Sequence, residues 1–153
     1  MKIVFATYFL LISLYFVVGT PVVRNNLHQT LPLLHKQYRL SFEVYPTGTI
    51  ANSFASIIQV GLGGWVDVYG DRTPAISFKP GSTELHITSS VNSNNNYIHN
   101  TPAIPLNKWT KVEVSQIREF DGYHYTIAIN GLIVNDVINT DARTFANVKV
   151  SSS

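Results

Sequence analysis

The chain has 153 residues, enough for one domain with a core of its own. Charged residues are 13% of it, about half the usual share, and the formal net charge is +2. No basic run is present, so nucleic acid is not an expected partner. The absence of cysteine excludes disulfides, thiolate metal sites and cysteine nucleophiles together.

Met1-Lys2 is followed by an apolar run from Ile3 to Val18, broken only by Thr7 and Ser13, and then by Gly19-Thr20-Pro21. A basic start, an apolar middle and a small residue before polar chain is the layout of a secretory signal peptide. Cleavage after Gly19 fits best. The run is shorter than the roughly 20 apolar residues of a spanning helix, which favours a cleaved leader over an anchor. The expected organisation is a signal peptide at 1–19, a lead-in segment at 20–37 and one domain at 38–153. The mature protein would be secreted, with no stable membrane span. In the lead-in, Pro32 argues against a long helix, leaving a strand or a loosely packed arm.

From Tyr38 to Tyr45 the pattern alternates. Tyr38, Leu40, Phe42 and Val44 share one face, and Arg39, Ser41, Glu43 and Tyr45 the other, as in a half-buried strand. Phe54 to Val60 reads as a second strand, ended by Gly61-Leu62-Gly63-Gly64. Trp65 to Tyr69 is a short strand or loop. Ala75–Lys79 and Glu84–Thr88 form a hairpin through Pro80-Gly81-Ser82. Asn92 to Asn96 is turn-rich, and Tyr97 to Pro105 continues as a loop or edge. Trp109 to Val134 holds three antiparallel strands. Val112 and Val114 alternate with wet neighbours, as do Tyr125, Ile127 and Ile129, and Asn130-Gly131 suits a two-residue hairpin turn. Trp109 opens a core strand and is expected inside. Ala146 to Val150 is a last strand. No segment has a usable helical period, so the chain reads as an all-β sandwich.

The wording "LNKWTKVEVSQ" and "YTIAINGLIVNDVINTDARTFANVKV", with "YRLSFEVYPTG" and "GDRTPAISFKPGSTELHI" before it, resembles the laminin-G-like branch of the concanavalin A-like jelly rolls. The resemblance covers roughly Tyr38 to Val150. It implies a two-sheet antiparallel jelly-roll sandwich, and one more returning strand after "NVKV". It is specific for fold and weak for activity, because this fold hosts lectins, adhesion modules and hydrolases alike.

Laminarinase-type hydrolases of this fold carry Glu-x-Asp-x-x-Glu on one strand. Here Glu119-Phe120-Asp121-Gly122-Tyr123-His124 departs at the last position, where His124 replaces the acid/base carboxyl that a retaining glycosidase needs. No catalytic residues are assigned. Laminin-G-like relatives often hold calcium at a loop rim. Asp67 and Asp71 are the candidate ligands here, with Asp136, Asp141 and Asn94 to Asn96 as further donors. The plain alternative is that these residues cap turns through their own backbone. No cofactor other than calcium is suggested.

Sugar binding on this fold needs an aromatic platform with amide and carboxylate partners. Trp65, Tyr69, Asp71, Arg72, Asn95, Asn96 and Tyr97 supply these groups from adjacent loops. The expected function is a secreted, non-enzymatic recognition module for a glycan or an extracellular protein, acting through a loop rim or a sheet face. The alternatives are a laminarinase-like glycoside hydrolase and a structural component of the extracellular matrix.

Overall fold

The computed structural model describes residues Ile3–Phe5, Tyr8–Ile12, Leu14–Val18 and 26–152. Among them are β1 (Ile3–Phe5), β2 (Tyr8–Ile12), β3 (Leu14–Val18), β4 (Asn26–Leu34), β5 (Tyr38–Pro46), β6 (Ala55–Gly61) and β7 (Ala75–Phe78). They continue as β8 (Glu84–Val91), β9 (Asn94–Ala103), β10 (Thr110–Arg118), β11 (Tyr123–Ile129), β12 (Leu132–Ile138) and β13 (Phe145–Ser152). No helix among the described residues is long and apolar enough to cross a membrane. The expected leader falls partly on β1 to β3. Its cleavage point at Gly19 and the first part of the lead-in, 20–25, lie outside the described residues.

The strands form two antiparallel sheets. One runs β12-β11-β10-β5-β2-β3, with β1 also pairing β5; the other runs β4-β13-β6-β7-β8-β9. Their inner faces follow from register. Val112 stands opposite Phe42 on one side and Ile129 on the other, and Val114 stands opposite Leu40 and Ile127. Directly opposed residues share a face, so these six side chains form two rows aimed at the second sheet. There they meet Ile57, Val60, Ile76, Phe78, Leu85 and Ile87 in one buried cluster, with Ile129 partly buried against it. The expected two-layer sandwich is therefore what the chain forms.

The lead-in does form a strand. Pro32 is accommodated because β4 is an edge strand bonded only to β13, where a missing N–H costs little. The Asn-rich stretch is not all turn. Asn92 and Ser93 take left-handed φ of 54° and 61°, and the chain returns from them at once as the edge strand β9. Asn130 and Gly131 take φ of 50° and 82°, the two-residue hairpin turn expected there. Trp65 to Tyr69 is loop. Trp109 corrects the sequence reading. It lies just before β10 and is 45% exposed, its ring 5.2 Å from that of Tyr45 on the outside of the sheet. Thr110, next along, takes the inward place instead.

Two outcomes test this core. Phe42→Ala removes a fully buried ring and should cost about 3–5 kcal/mol in denaturant unfolding. Tyr125 is as deeply buried, but its hydroxyl makes no hydrogen bond among the described residues. Tyr125→Phe should therefore change stability by no more than about 1 kcal/mol, or raise it, in the same assay.

Candidate ligand-binding site

The site begins where β6 runs out. Thr73 N–H bonds to the Val60 carbonyl at 2.6 Å and Leu62 N–H to the Gly70 carbonyl at 3.0 Å, so the loop from Gly61 to Arg72 folds back on its own strand. A side-chain carbon on Gly61 would collide with the Asp71 carbonyl, and one on Gly64 with the Asp71 carboxylate. The glycine-rich run is thus a close-approach device. Asp71 is buried, and its Oδ2 accepts the Val68 N–H at 2.9 Å. Gln59 Nε2 donates to the Gly64 and Asp71 carbonyls at 3.3 and 3.2 Å. Gly70 N–H reaches Ser90 Oγ on β8 at 2.7 Å.

Trp65 stands on this cinched loop, 75% exposed. The Arg72 guanidinium lies 5.5 Å from its ring centroid and donates to Asn96 Oδ1 on β9 at 3.3 Å. Partial burial lowers the guanidinium pKa, and Asp71 opposes this. Asn95 Nδ2 donates to the Asp67 carbonyl at 3.1 Å. Five of the sequence candidates, Trp65, Arg72, Asn95, Asn96 and Asp67, are therefore brought together. The others are not part of that surface. Tyr69 packs on Phe145 under the Arg143 guanidinium and donates to the Asp141 carbonyl at 2.8 Å. Tyr97 sets its edge against Tyr125 and donates to Asn135 Oδ1 at 2.9 Å. Asp71 faces inward.

Two hollows flank Trp65 and share it and Gln59 as walls. One, of about 340 Å³, reaches Phe54 and His86; the other, of about 520 Å³, reaches Asp67, Lys149 and Ser151. Their floor is the outer face of the six-stranded sheet. One cross-strand row is Ser56, Ser77, His86 and Asn100. The next is Ser151, Gln59, Ala75 and Thr88. Phe54 is 53% exposed and rests on the His86 ring at 5.0 Å, while His86 Nδ1 donates to Asn100 Oδ1 at 2.7 Å. Sequence reasoning did not select Phe54, Ser56, Gln59, Ser77 or Lys149. For Ser56, Gln59, Ser77 and Lys149 the only signal is the polar half of a strand, which does not say which strands lie side by side, and Phe54 is a lone apolar residue just before β6.

The second candidate group sits at the opposite sheet. The turn closes through Glu119 N–H to the Gly122 carbonyl at 2.7 Å, and the ligand atoms of Glu119, Asp121 and His124 lie within 4.8 Å of one another. His124 Nε2 meets Asp121 Oδ1 at 2.8 Å and Nδ1 meets Asp136 Oδ1 at 2.9 Å. Ionised carboxylates only accept, so both ring nitrogens carry protons here. Asp121 first and Asp136 second push the imidazole pKa up to about 9, and the same bond holds Asp121 below its ordinary value. The group is an ionic clasp between the β10–β11 turn and β12.

Among the described residues none of the calcium candidates Asp67, Asp71, Asp136 and Asp141 falls in a group of three acidic or histidine ligand atoms. Asp71 is spent on Val68, Asp136 on His124 and Asp141 on Arg143, and the Asn94 and Asn96 carbonyl oxygens accept from Asn96 N–H and Arg72. A hard-cation cage needs six or more oxygens turned to one point.

The two sheets form an all-β antiparallel sandwich whose fold is pentraxin-like. Among solved structures the chain is similar to a native heptameric SAP-like pentraxin from Limulus polyphemus, with a TM-score of 0.53 and 14% identity. The match covers 97% of this chain and 62% of that one, so the chain spans under two thirds of the pentraxin's length. At that identity the likeness is one of fold. No protein-family model and no curated protein matches the sequence.

The clasp predicts a pH response with two signs. A raised histidine pKa stabilises fully below about 6.5 and loses that contribution as pH climbs through about 9. The depressed Asp121 contribution is lost instead on acidification, as pH falls through its folded value. Denaturant midpoints should fall between about pH 7 and about pH 10, and His124→Asn should flatten that slope. An unaltered slope in the variant would show that His124 is not the group responsible.

Proposed function

We propose that the chain is a secreted, non-catalytic recognition module that binds an extracellular glycan through the surface around Trp65. The observation that carries this is an indole mostly in solvent, on a fixed loop and with Arg72 over one face. The glycine-cinched loop fixes its backbone, and Arg72, anchored to Asn96, covers one face of the ring. A large apolar ring left open to water on a fixed loop, with one face under Arg72, is suited to a partner that covers it. A pyranose has a C–H face and a hydroxyl rim, which match an indole flanked by amides and hydroxyls. The pentraxin-like fold supports the lectin-like reading, and the residue wording from Tyr38 to Val150 supports a laminin-G-like branch of it.

Catalysis at Glu119 is less well supported. A retaining glycosidase needs one carboxyl with a raised pKa to protonate the leaving oxygen. Asp121 is held low by His124, and His124 is committed to two carboxylates.

On a glycan array the secreted protein should be retained by at least one sugar class and released by the free sugar. Trp65→Ala should lower that affinity by about 2 kcal/mol, roughly 30-fold. Retention untouched by Trp65→Ala would move the site elsewhere. Release of new reducing ends from a polysaccharide panel, lost in Glu119→Gln, would replace this reading with a hydrolase. Retention in an extracellular protein complex with no sugar competition would point to a matrix component. Export is checked separately. N-terminal sequencing of the protein from the medium should begin at Thr20, and protein retained on membranes with Met1 intact would oppose it.

A further inference from the structure

We infer that the ligand of this surface is an internal stretch of a linear, uncharged polysaccharide, laid across the strands from β8 through β7 and β6 to β13. The inference rests on the glycan-recognition reading and adds the class of glycan and its path. Three observations carry it.

The first is continuity. The hollow ending at Phe54 and the hollow ending at Lys149 share Trp65 and Gln59, so the surface is one trough with a platform in its middle. A site for a terminal sugar is closed at one end, whereas this one runs past its main aromatic in both directions. Four strands at about 4.8 Å spacing span about 14 Å, room for roughly three sugar rings.

The second is the floor. The register places Ser56, Ser77, Ala75 and Thr88 side by side on the outer face. Ser56, Ser77 and Ala75 are small and partly exposed and Thr88 is buried beneath them, so the floor is low between the larger His86 and Arg72 side chains that also line it. Among the described residues the hydroxyls of Ser56 and Ser77 make no hydrogen bond, and the bond of His86 to Asn100 uses only Nδ1. These groups remain available to sugar hydroxyls.

The third is charge. Among the described residues lining the trough between Phe54 and Trp65, the one permanent charge is Arg72, already used on the indole and on Asn96. At the far end Asp67 and Lys149 are of opposite sign and offset each other. An uncharged, polyhydroxylated chain fits this lining better than an anionic one.

The test is calorimetric titration of the secreted protein with linear β-1,3-glucan, β-1,4-glucan, mannan and chitin oligosaccharides of increasing length, and with hyaluronan as a charged chain. For one neutral series, affinity should rise about tenfold or more from one ring to roughly three or four and then level. Reduction of the free end should not matter. Phe54→Ala and Trp65→Ala should each weaken the longest oligomer about tenfold or more, and Ser77→Leu should block it, with unchanged circular dichroism. Equal binding of a monosaccharide and its hexamer, loss of binding on end reduction, or preference for hyaluronan would overturn the inference while leaving glycan recognition standing. Absence of binding to every oligosaccharide, together with an empty glycan array, would overturn both.

Discussion

The fold depends on the position of β10 between β5 and β11. Val112 and Val114 each oppose a core residue on both flanking strands, so a single register satisfies two ladders at once. A slip of one residue would send Lys111, Glu113 and Ser115 inward on either side. That penalty is what makes the alternating sequence decisive here, since no disulfide is available to hold an alternative pairing in check. The outer faces of the same residues then come as a consequence. Ser115 and Thr126 share a hydrogen bond at 2.8 Å, and Arg39 reaches Glu113 at 3.5 Å on the solvent side. The ion pair is exposed and contributes little by itself.

Where the ladders end, polar side chains take over. Gln116 is buried in register between Tyr38 and Tyr125, and its carbonyl oxygen accepts Asn139 Nδ2 at 2.6 Å while its amide donates to the Lys36 carbonyl at 2.6 Å. Asn139 Oδ1 in turn accepts the Asn92 N–H at 2.9 Å, and Asn92 Oδ1 accepts from Thr140 at 2.7 Å. Gln116 and Asn139 are the buried members of this series, so removing either strands the other. The chain of bonds fixes the β8–β9 turn relative to the connection between β12 and β13. It thereby fixes the start of β9, which carries the Asn96 that anchors Arg72. Loop geometry at Trp65 is thus inherited from a buried amide on the other sheet.

The core was legible because inward and outward positions alternate within each strand, and the hydrophobic pattern records that locally. Leu40, Phe42, Val44 and Ile127 could be placed without knowing any partner. Trp109 could not, because size and apolarity do not say on which side of a strand's first residue the backbone turns. The chain enters β10 so that Thr110 is buried and the indole is left against Tyr45. The candidate site was half legible for a related reason. Trp65, Arg72, Asn95 and Asn96 lie in two turn-rich stretches, and loops gather functional groups often enough to draw attention. The trough floor is written in Ser56, Ser77 and His86, far apart in the chain and joined only by strand order. Tyr69 and Tyr97 read like ligand residues from composition, yet each hydroxyl found a protein partner and each ring a packing surface.

The edges of the two sheets show how the chain tolerates its own polar outer rim. β4 carries Pro32 and β9 carries Pro102 with a run of asparagines, both unfavourable for extending a ladder. β12 lacks such protection in its first half, where Leu132 and Ile133 are exposed, but its second half is tied down by Asp136 on His124. β5 differs in kind. It is bonded to β10 on one side and to β1 and β2 on the other. Export with loss of the first nineteen residues, as proposed above, would take β1 to β3 away and open a long stretch of β5 from its second side. The inner row of Leu40, Phe42 and Val44 would stay covered by the opposite sheet, because that burial comes from face packing and not from the lost ladder. What would be exposed is backbone, so the trough on the other sheet, whose floor belongs to β6, β7, β8 and β13, would keep its supports.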